Sequence, residues 1–259
     1  MGKTFDSLSE DHVAWLKKQK VFFVGSAPAK GHVNVSPKGY TDGTFAILSP
    51  TKVAYLDFTG SGAETIAHSL QNRRITLMFV AFEGDPVIMR LFGESSVVQR
   101  DAVPADLRSK FGQDYINSHG FRAVILVDVD RVQTSCGFSI PFYDYVGERP
   151  VLYDHWSKKT LEEVENYRIL KNSFSIDQLP SIGHRIFNPK APMVAPRHRG
   201  GFWFGFQDVT LTERLSSWLS RALGPLSFLT LRDLAMLGVG AIGAFSLANV
   251  KYLETSRRA

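Results

Sequence analysis

HVNVSPKG, residues 32–39, joins two kinds of local structure. His32 to Ser36 alternate as a β-strand does, with Val33 and Val35 on one face. Pro37 lacks a ladder donor, so the strand is expected to stop there, and Lys38 and Gly39 follow at once. A surface turn would account for this pattern. So would a strand end that presents Ser36 and Lys38 to a ligand, and the flanking sequence bears on the choice.

Around this stretch the chain reads as successive strands. Runs rich in Val, Ile and Phe, separated by turn residues, occupy 21–27, 32–36, 44–48, 52–58, 74–82, 87–99 and 123–135. Ser49-Pro50-Thr51 makes the third and fourth a hairpin. So many strands in sequence with few long crossovers favour an antiparallel barrel over a parallel sheet. The fold class is therefore mainly β, an antiparallel barrel with flanking helices. Capping boxes predict helices opening at Ser7 with Glu10, Ser61 with Glu64 and Thr160 with Glu163. A fourth helix is expected from Pro104 to His119, closed by Gly120.

A second junction, YLDFTGSGAET (55–65), leaves a strand at Phe58 and turns through Thr59-Gly60-Ser61-Gly62 into a helix. A helix start offers unpaired N–H groups and partial positive charge, which suits an anion. The glycines admit close approach, Thr59, Ser61 and Thr65 add hydroxyls, and Lys38 supplies formal charge if its strand lies alongside. The plainer reading makes Ser61 an N-cap and Gly60 and Gly62 turn residues.

HVNVSPKG, then YLDFTGSGAET, then NRRITLMF, resembles the pyridoxamine 5′-phosphate oxidase-like family of FMN-binding split β-barrels, in particular the fungal and bacterial branch that carries SPKG. KNSFSIDQLPSI (171–182) is similar to that branch's closing motif, with Gln178 where DGLP is usual. The likeness covers roughly residues 5–182. It implies an FMN cofactor, a homodimer with FMN at the subunit interface, and an unidentified small-molecule substrate. Carried over by position, Asn34, Ser36 and Lys38 would lie along the FMN, and Thr59, Gly60, Ser61 and Thr65 would cradle its phosphate. Arg74 is a further phosphate candidate, and Gln133, Thr134 and Ser135 would approach the flavin ring. The substrate clamp of true pyridoxamine phosphate oxidases finds only an echo, Arg197-His198-Arg199, so B6 chemistry is not expected. The implied function is FMN-dependent oxidoreduction. Its rival is a non-catalytic flavin- or pyridoxal-phosphate-binding protein acting as carrier, sensor or scaffold, since fold does not settle chemistry.

No side chain declares itself as a general acid or base. His68 reads as a partly exposed helix residue and Cys136 as a small buried core residue. The seven histidines lack ligand spacing, so no metal site is expected. Gly238, Gly240 and Gly243 match a dinucleotide fingerprint, but too little chain follows for the βαβ unit it needs.

At 259 residues, 44% hydrophobic and 21% charged, the chain is long enough and apolar enough for a sizeable core. The net charge of +5 divides unevenly. Residues 1–182 hold 20 Lys/Arg against 21 Asp/Glu, while 183–259 hold 10 against 4. A neutral body argues against a nucleic-acid groove. The organisation expected is a barrel domain over 1–182, a linker over 183–208 and a basic helical tail over 209–259. One cysteine and an opening without an apolar leader point to a cytoplasmic setting. In the tail, VTLTERLSSWLSRAL (209–223) has an amphipathic pattern suited to a membrane surface. The charge-free 234–250 is either a membrane-associated segment or a helix packed on the barrel.

Overall fold

The computed structural model describes residues 2–184. In chain order the elements are β1 (Lys3–Phe5), α1 (Glu10–Leu16), β2 (Phe22–Ser26), β3 (Asn34–Lys38), α2 (Thr41–Thr44), β4 (Phe45–Ser49), β5 (Lys52–Phe58), α3 (Glu64–Gln71), β6 (Arg74–Val80), β7 (Val87–Gln99), a 3₁₀ turn (Arg100–Ala102), α4 (Ala105–Arg108), α5 (Gln113–Asn117), β8 (Phe121–Cys136), α6 (Val151–Ser157) and α7 (Leu161–Lys171). The strands form one antiparallel sheet in the order β3-β2-β6-β7-β8-β5-β4, with β1 added to β8.

The sheet closes on itself through its aromatic core. β2 and β4 lie far apart in the strand order, yet Phe22 of β2 meets Phe45 of β4 at 5.3 Å and Tyr55 of β5 at 5.4 Å between ring centroids. Phe79 of β6 stacks on Phe22 at 5.1 Å and meets Phe45 edge-on at 5.2 Å. Rings this close are within the range in which aromatic pairs add stability beyond burial. Only a strongly coiled sheet brings them together, so the molecule is a barrel left open between the edge strands β3 and β4. Closure needs a sharp bend where β7 crosses β8. The register shifts between Phe92 and Gly93, and a Cβ at Gly93 would lie 2.0 Å from the Asp128 carbonyl oxygen. Only glycine fits there.

Several local expectations need correction. Pro37 does not stop its strand. β3 runs to Lys38 because it is an edge strand, where a missing N–H faces no partner. The first helix is capped by Ser9 rather than Ser7. The Ser9 hydroxyl accepts from the His12 amide, and His12 Nδ1 accepts from the Ser9 amide. Ser61 caps nothing, since α3 starts at Glu64 behind Ala63. Residues 104–119 form two short helices instead of one, because Gly112 is pinned to Gly43 by a 2.9 Å backbone bond. The Thr160–Glu163 capping box is present as expected. Cys136 is exposed, because it ends the 16-residue β8 beyond the core. Among the described residues no helix is long and apolar enough to cross a membrane. Residues 209–223 and 234–250, the linker beyond 184 and Arg197-His198-Arg199 lie outside the described residues.

His68 is fully buried rather than half-exposed. Its Nδ1 lies 3.0 Å from the Ser26 hydroxyl, and its Nε2 has no partner among the described residues. Burial lowers its pKa, and Asp177 offsets this only in part. An imidazole that titrates lower in the folded protein takes up its proton first in the unfolded chain. Its contribution to stability is therefore complete above pH ~6.5 and is lost as the pH falls below that value. Denaturant unfolding at a series of pH values should show stability declining below pH ~6.5, by at most ~1.4 kcal/mol per pH unit for this group. His68→Gln should flatten that decline, leaving the share that belongs to His12, whose pKa burial also lowers.

Candidate functional site

β5 leaves the barrel at Phe58, and β3 ends beside it at the open side. Between the two junctions lies a cavity of about 380 Å³, within the ~300–1,000 Å³ range of small-molecule sites. Its polar wall carries Asn34, Ser36, Lys38, Ser61, Gly62, Glu64, Thr65 and Arg122. Its apolar wall carries Pro37, Tyr40, Leu56, Phe58 and Leu152.

The floor is a buried charge network. Asp57, 1% exposed, takes Arg122 Nε on one carboxylate oxygen at 2.6 Å and Lys38 Nζ on the other at 3.0 Å. Arg122 Nη1 continues to the Gly62 carbonyl at 3.0 Å and to Asn172 Oδ1 at 2.9 Å. Burial alone would raise the Asp57 pKa, but Arg122 and Lys38 together outweigh it and hold the carboxyl below its ordinary value. Arg122 reaches this place through a register shift. Asp57 pairs with Ala123 and Phe58 with Phe121, which leaves Arg122 as the extra residue. Glu64, on the same wall, accepts the Ile176 amide at 3.0 Å, and burial raises its pKa.

The mouth is set by Tyr40, which holds a left-handed backbone with φ +56°. That conformation costs a non-glycine residue ~1–2 kcal/mol and persists where surrounding bonds fix it. Here the Tyr40 amide donates to Glu148 Oε2 at 3.1 Å, its hydroxyl donates to the Arg149 carbonyl, and its ring packs on Tyr115.

Of the residues singled out from sequence, Asn34, Ser36, Lys38, Gly60, Ser61 and Thr65 come together on this cavity. Lys38 arrives paired with Asp57. Thr59 is fully buried behind the turn, where its hydroxyl accepts from Arg168 Nε at 2.9 Å. Arg74 points elsewhere and donates to the Pro28 carbonyl. Gln133, Thr134 and Ser135 lie at the far end of β8, paired with β1 and β7, and Ser135 accepts from Arg90. Sequence reasoning missed Asp57, Arg122, Asn172 and Tyr40. The available signal was opposite charges inside two otherwise apolar strands, KVAYLDF and FRAVILV.

Residues 8–136 match the family model for pyridoxamine 5′-phosphate oxidase. Over 206 residues the chain is 42% identical to the pyridoxamine 5′-phosphate oxidase family protein ustO of Aspergillus flavus, covering 73% of this chain and 81% of the relative. The chain belongs to the pyridoxamine 5′-phosphate oxidase family. Among solved structures it is similar to HupZ of Group A Streptococcus, with 19% identity, a TM-score of 0.37, and coverage of 48% of this chain and 91% of that one. It is also similar to the FAD binding protein from Mycobacterium smegmatis, with 12% identity, a TM-score of 0.34, and coverage of 51% and 97%. In this family member Asn172, which bonds Arg122 of the floor, and the helices α6 and α7 follow the stretch that the family model matches.

Removing the shared carboxylate tests the floor. Asp57→Ala leaves Arg122 buried without its counter-charge and should cost ~3–5 kcal/mol in urea unfolding. Because the folded-state pKa of Asp57 is lowered, its contribution is full above pH ~4 and disappears as the pH falls through the folded value. The difference between wild type and Asp57→Ala should shrink accordingly at the acid end.

Proposed function

We propose that this family member binds FMN in the cavity between β3 and the 59–62 turn and uses it in the oxidoreduction of a small substrate. The observation that carries the reading is the juxtaposition, around one cavity, of Ser36, Lys38, Ser61, Thr65 and the start of α3 with aromatic and aliphatic side chains. Among the described residues no backbone carbonyl accepts from the amides of Gly60, Ser61, Gly62, Glu64 or Thr65. Unpaired amides, three hydroxyls and two cations suit a phosphate monoester. Tyr40, Leu56, Phe58 and Leu152 suit a flat ring system. Both nearby acids are engaged, Asp57 by its cations and Glu64 by the Ile176 amide, so the donor set fits an anion.

A bound flavin supplies the electron-carrying chemistry, and the protein binds, orients and shields it. Lys38 gives charge at the phosphate end while Arg122 keeps Asp57 neutralised. Tyr40 and Leu152 exclude water from the apolar end. The engagement of both acids also favours the second reading, a non-catalytic flavin- or pyridoxal-phosphate-binding protein, because neither stands free as a proton-transfer group. Steady-state oxidation of a reduced nicotinamide or a reduced flavin by the purified protein separates the two readings.

Lys38→Ala should weaken FMN by about tenfold or more, as charge-assisted bonds to phosphate are the strong kind, and leave riboflavin nearly unchanged in fluorescence titrations. Equal loss for both flavins would place Lys38 away from the phosphate.

The family resemblance implies a homodimer, and the surface suits one. Phe138 is 83% exposed, Phe142 80% and Val146 98%, along the segment that follows β8. Val33 and Val35 add exposed apolar area at the β3 edge, and an exposed apolar edge strand is a surface suited to association. Sedimentation velocity at micromolar concentration should give a dimer, and a Phe138→Glu/Phe142→Glu double variant should shift it towards monomer. A wild-type monomer would exclude this assembly.

A further inference from the structure

The turn from Thr59 to Ala63 has two faces. Four of its carbonyls accept from side chains brought by later parts of the chain, three of them from residues that do not line the cavity. Trp156 Nε1 donates to Thr59 O at 2.8 Å, Asn172 Nδ2 to Gly60 O at 2.9 Å, Arg122 Nη1 to Gly62 O at 3.0 Å and the Ser181 hydroxyl to Ala63 O at 3.0 Å. Asn172 does double service, because its Oδ1 also holds Arg122. All peptide bonds in the described chain are trans. In a planar trans unit the N–H points opposite to the C=O. Holding the carbonyls of Thr59, Gly60 and Ala63 from outside the cavity turns the amides of Gly60, Ser61 and Glu64 the other way. All three residues line the cavity.

We infer that Trp156, Asn172 and Ser181 are positioning residues for a phosphate-binding turn. They aim its backbone amides at the ligand from behind. None of the three lines the cavity, so each acts through the turn and not by contact. Left untethered, a turn with glycines at 60 and 62 has many alternative peptide orientations, most of which scatter the donors. The side-chain tethers select one. This inference rests on the FMN reading above and adds that the phosphate site is assembled only when residues 150–184 are docked.

The test uses the full chain and titrates FMN and riboflavin separately into wild type, Lys38→Ala, Trp156→Phe, Asn172→Ala, Ser181→Ala and Ser181→Thr. Denaturant midpoints confirm that each variant is folded under the titration conditions. Trp156→Phe keeps an aromatic ring at the Tyr167 contact while removing the indole donor and part of the ring volume, and the denaturant midpoint reports the cost of that lost volume. Loss of one tether should weaken FMN by about fivefold to tenfold, leave riboflavin unchanged, and be restored in Ser181→Thr. A general loosening of the fold would weaken both flavins alike. Equal loss for the two flavins, or no loss in folded tether variants while Lys38→Ala loses FMN selectively, overturns the inference and leaves the FMN reading standing. A wild-type protein that does not prefer FMN to riboflavin overturns both.

Discussion

One buried carboxylate serving two cations constrains much of this structure. Asp57 lies at the end of β5 with almost no solvent contact, and an ionised carboxylate in such a place costs several kcal/mol unless it is paired and hydrogen-bonded. The fold meets that demand from two directions. The irregularity opposite Asp57 and Phe58 frees Arg122 from regular pairing, and β3 runs past its proline far enough to deliver Lys38. Moving either strand end would leave a buried charge without its partner. The pairing therefore fixes the relation of the edge strand to the barrel, and with it the width of the cavity. Such pairs contribute less to net stability than to the uniqueness of an arrangement, and here that arrangement is the polar wall.

The same network links the cavity to the end of the described chain. Arg122 and Asn172 bond each other and share the Gly62 carbonyl, so the charge floor and the back of the turn are one hydrogen-bonded unit. Arg168 reinforces it by bridging Thr59 to the carbonyls of His119 and Phe121. Burial lowers its pKa to about 10, still well above neutrality, so it remains a cation at the junction. Trp156, Arg168 and Asn172 thus converge on Thr59 and Gly60, while Ser61 and Thr65 line the cavity.

The strands were legible because each carries its own signal. The runs at 52–58, 74–82, 87–99 and 123–135 are apolar, β-branched and bounded by turn residues, and the strands found there differ from them by at most two residues at an end. β3 was placed two residues too early, at 32–36 instead of Asn34–Lys38, because the rule about proline in a ladder holds for central strands, and nothing local marks a strand as an edge. The six residues that meet on the cavity lie in two short motifs whose chemistry is visible in one dimension. Asp57, Arg122 and Asn172 meet across separations of 50 to 115 positions. Their meeting depends on a register shift and on helix docking, neither of which any local pattern records. Gln133 to Ser135 and Arg74 came from positional resemblance alone, without a local physical reason, and the structure does not place them on the cavity.

The closing hairpin shows how far the end of the described chain is bent to this purpose. Gln178 holds φ +64° where the related motif usually has glycine, a conformation that costs a side-chain-bearing residue ~1–2 kcal/mol. Three bonds enforce it: Gln178 amide to Ser175 carbonyl, Ser175 amide to Leu179 carbonyl, and Leu179 amide to the Ser175 hydroxyl. The turn so formed sets Asp177 beneath Gly31 and His32, where its carboxylate accepts the His32 amide at 2.8 Å and approaches the ring at 2.7 Å. It also brings the Ile176 amide to Glu64 and the Ser181 hydroxyl to Ala63. One strained turn thereby ties the loop that leads into β3 to the start of α3, and β3 and that helix start supply most of the polar lining of the cavity. Relieving the strain at position 178 without keeping those bonds would free both segments at once, which is the physical reason a costly backbone conformation is sustained there.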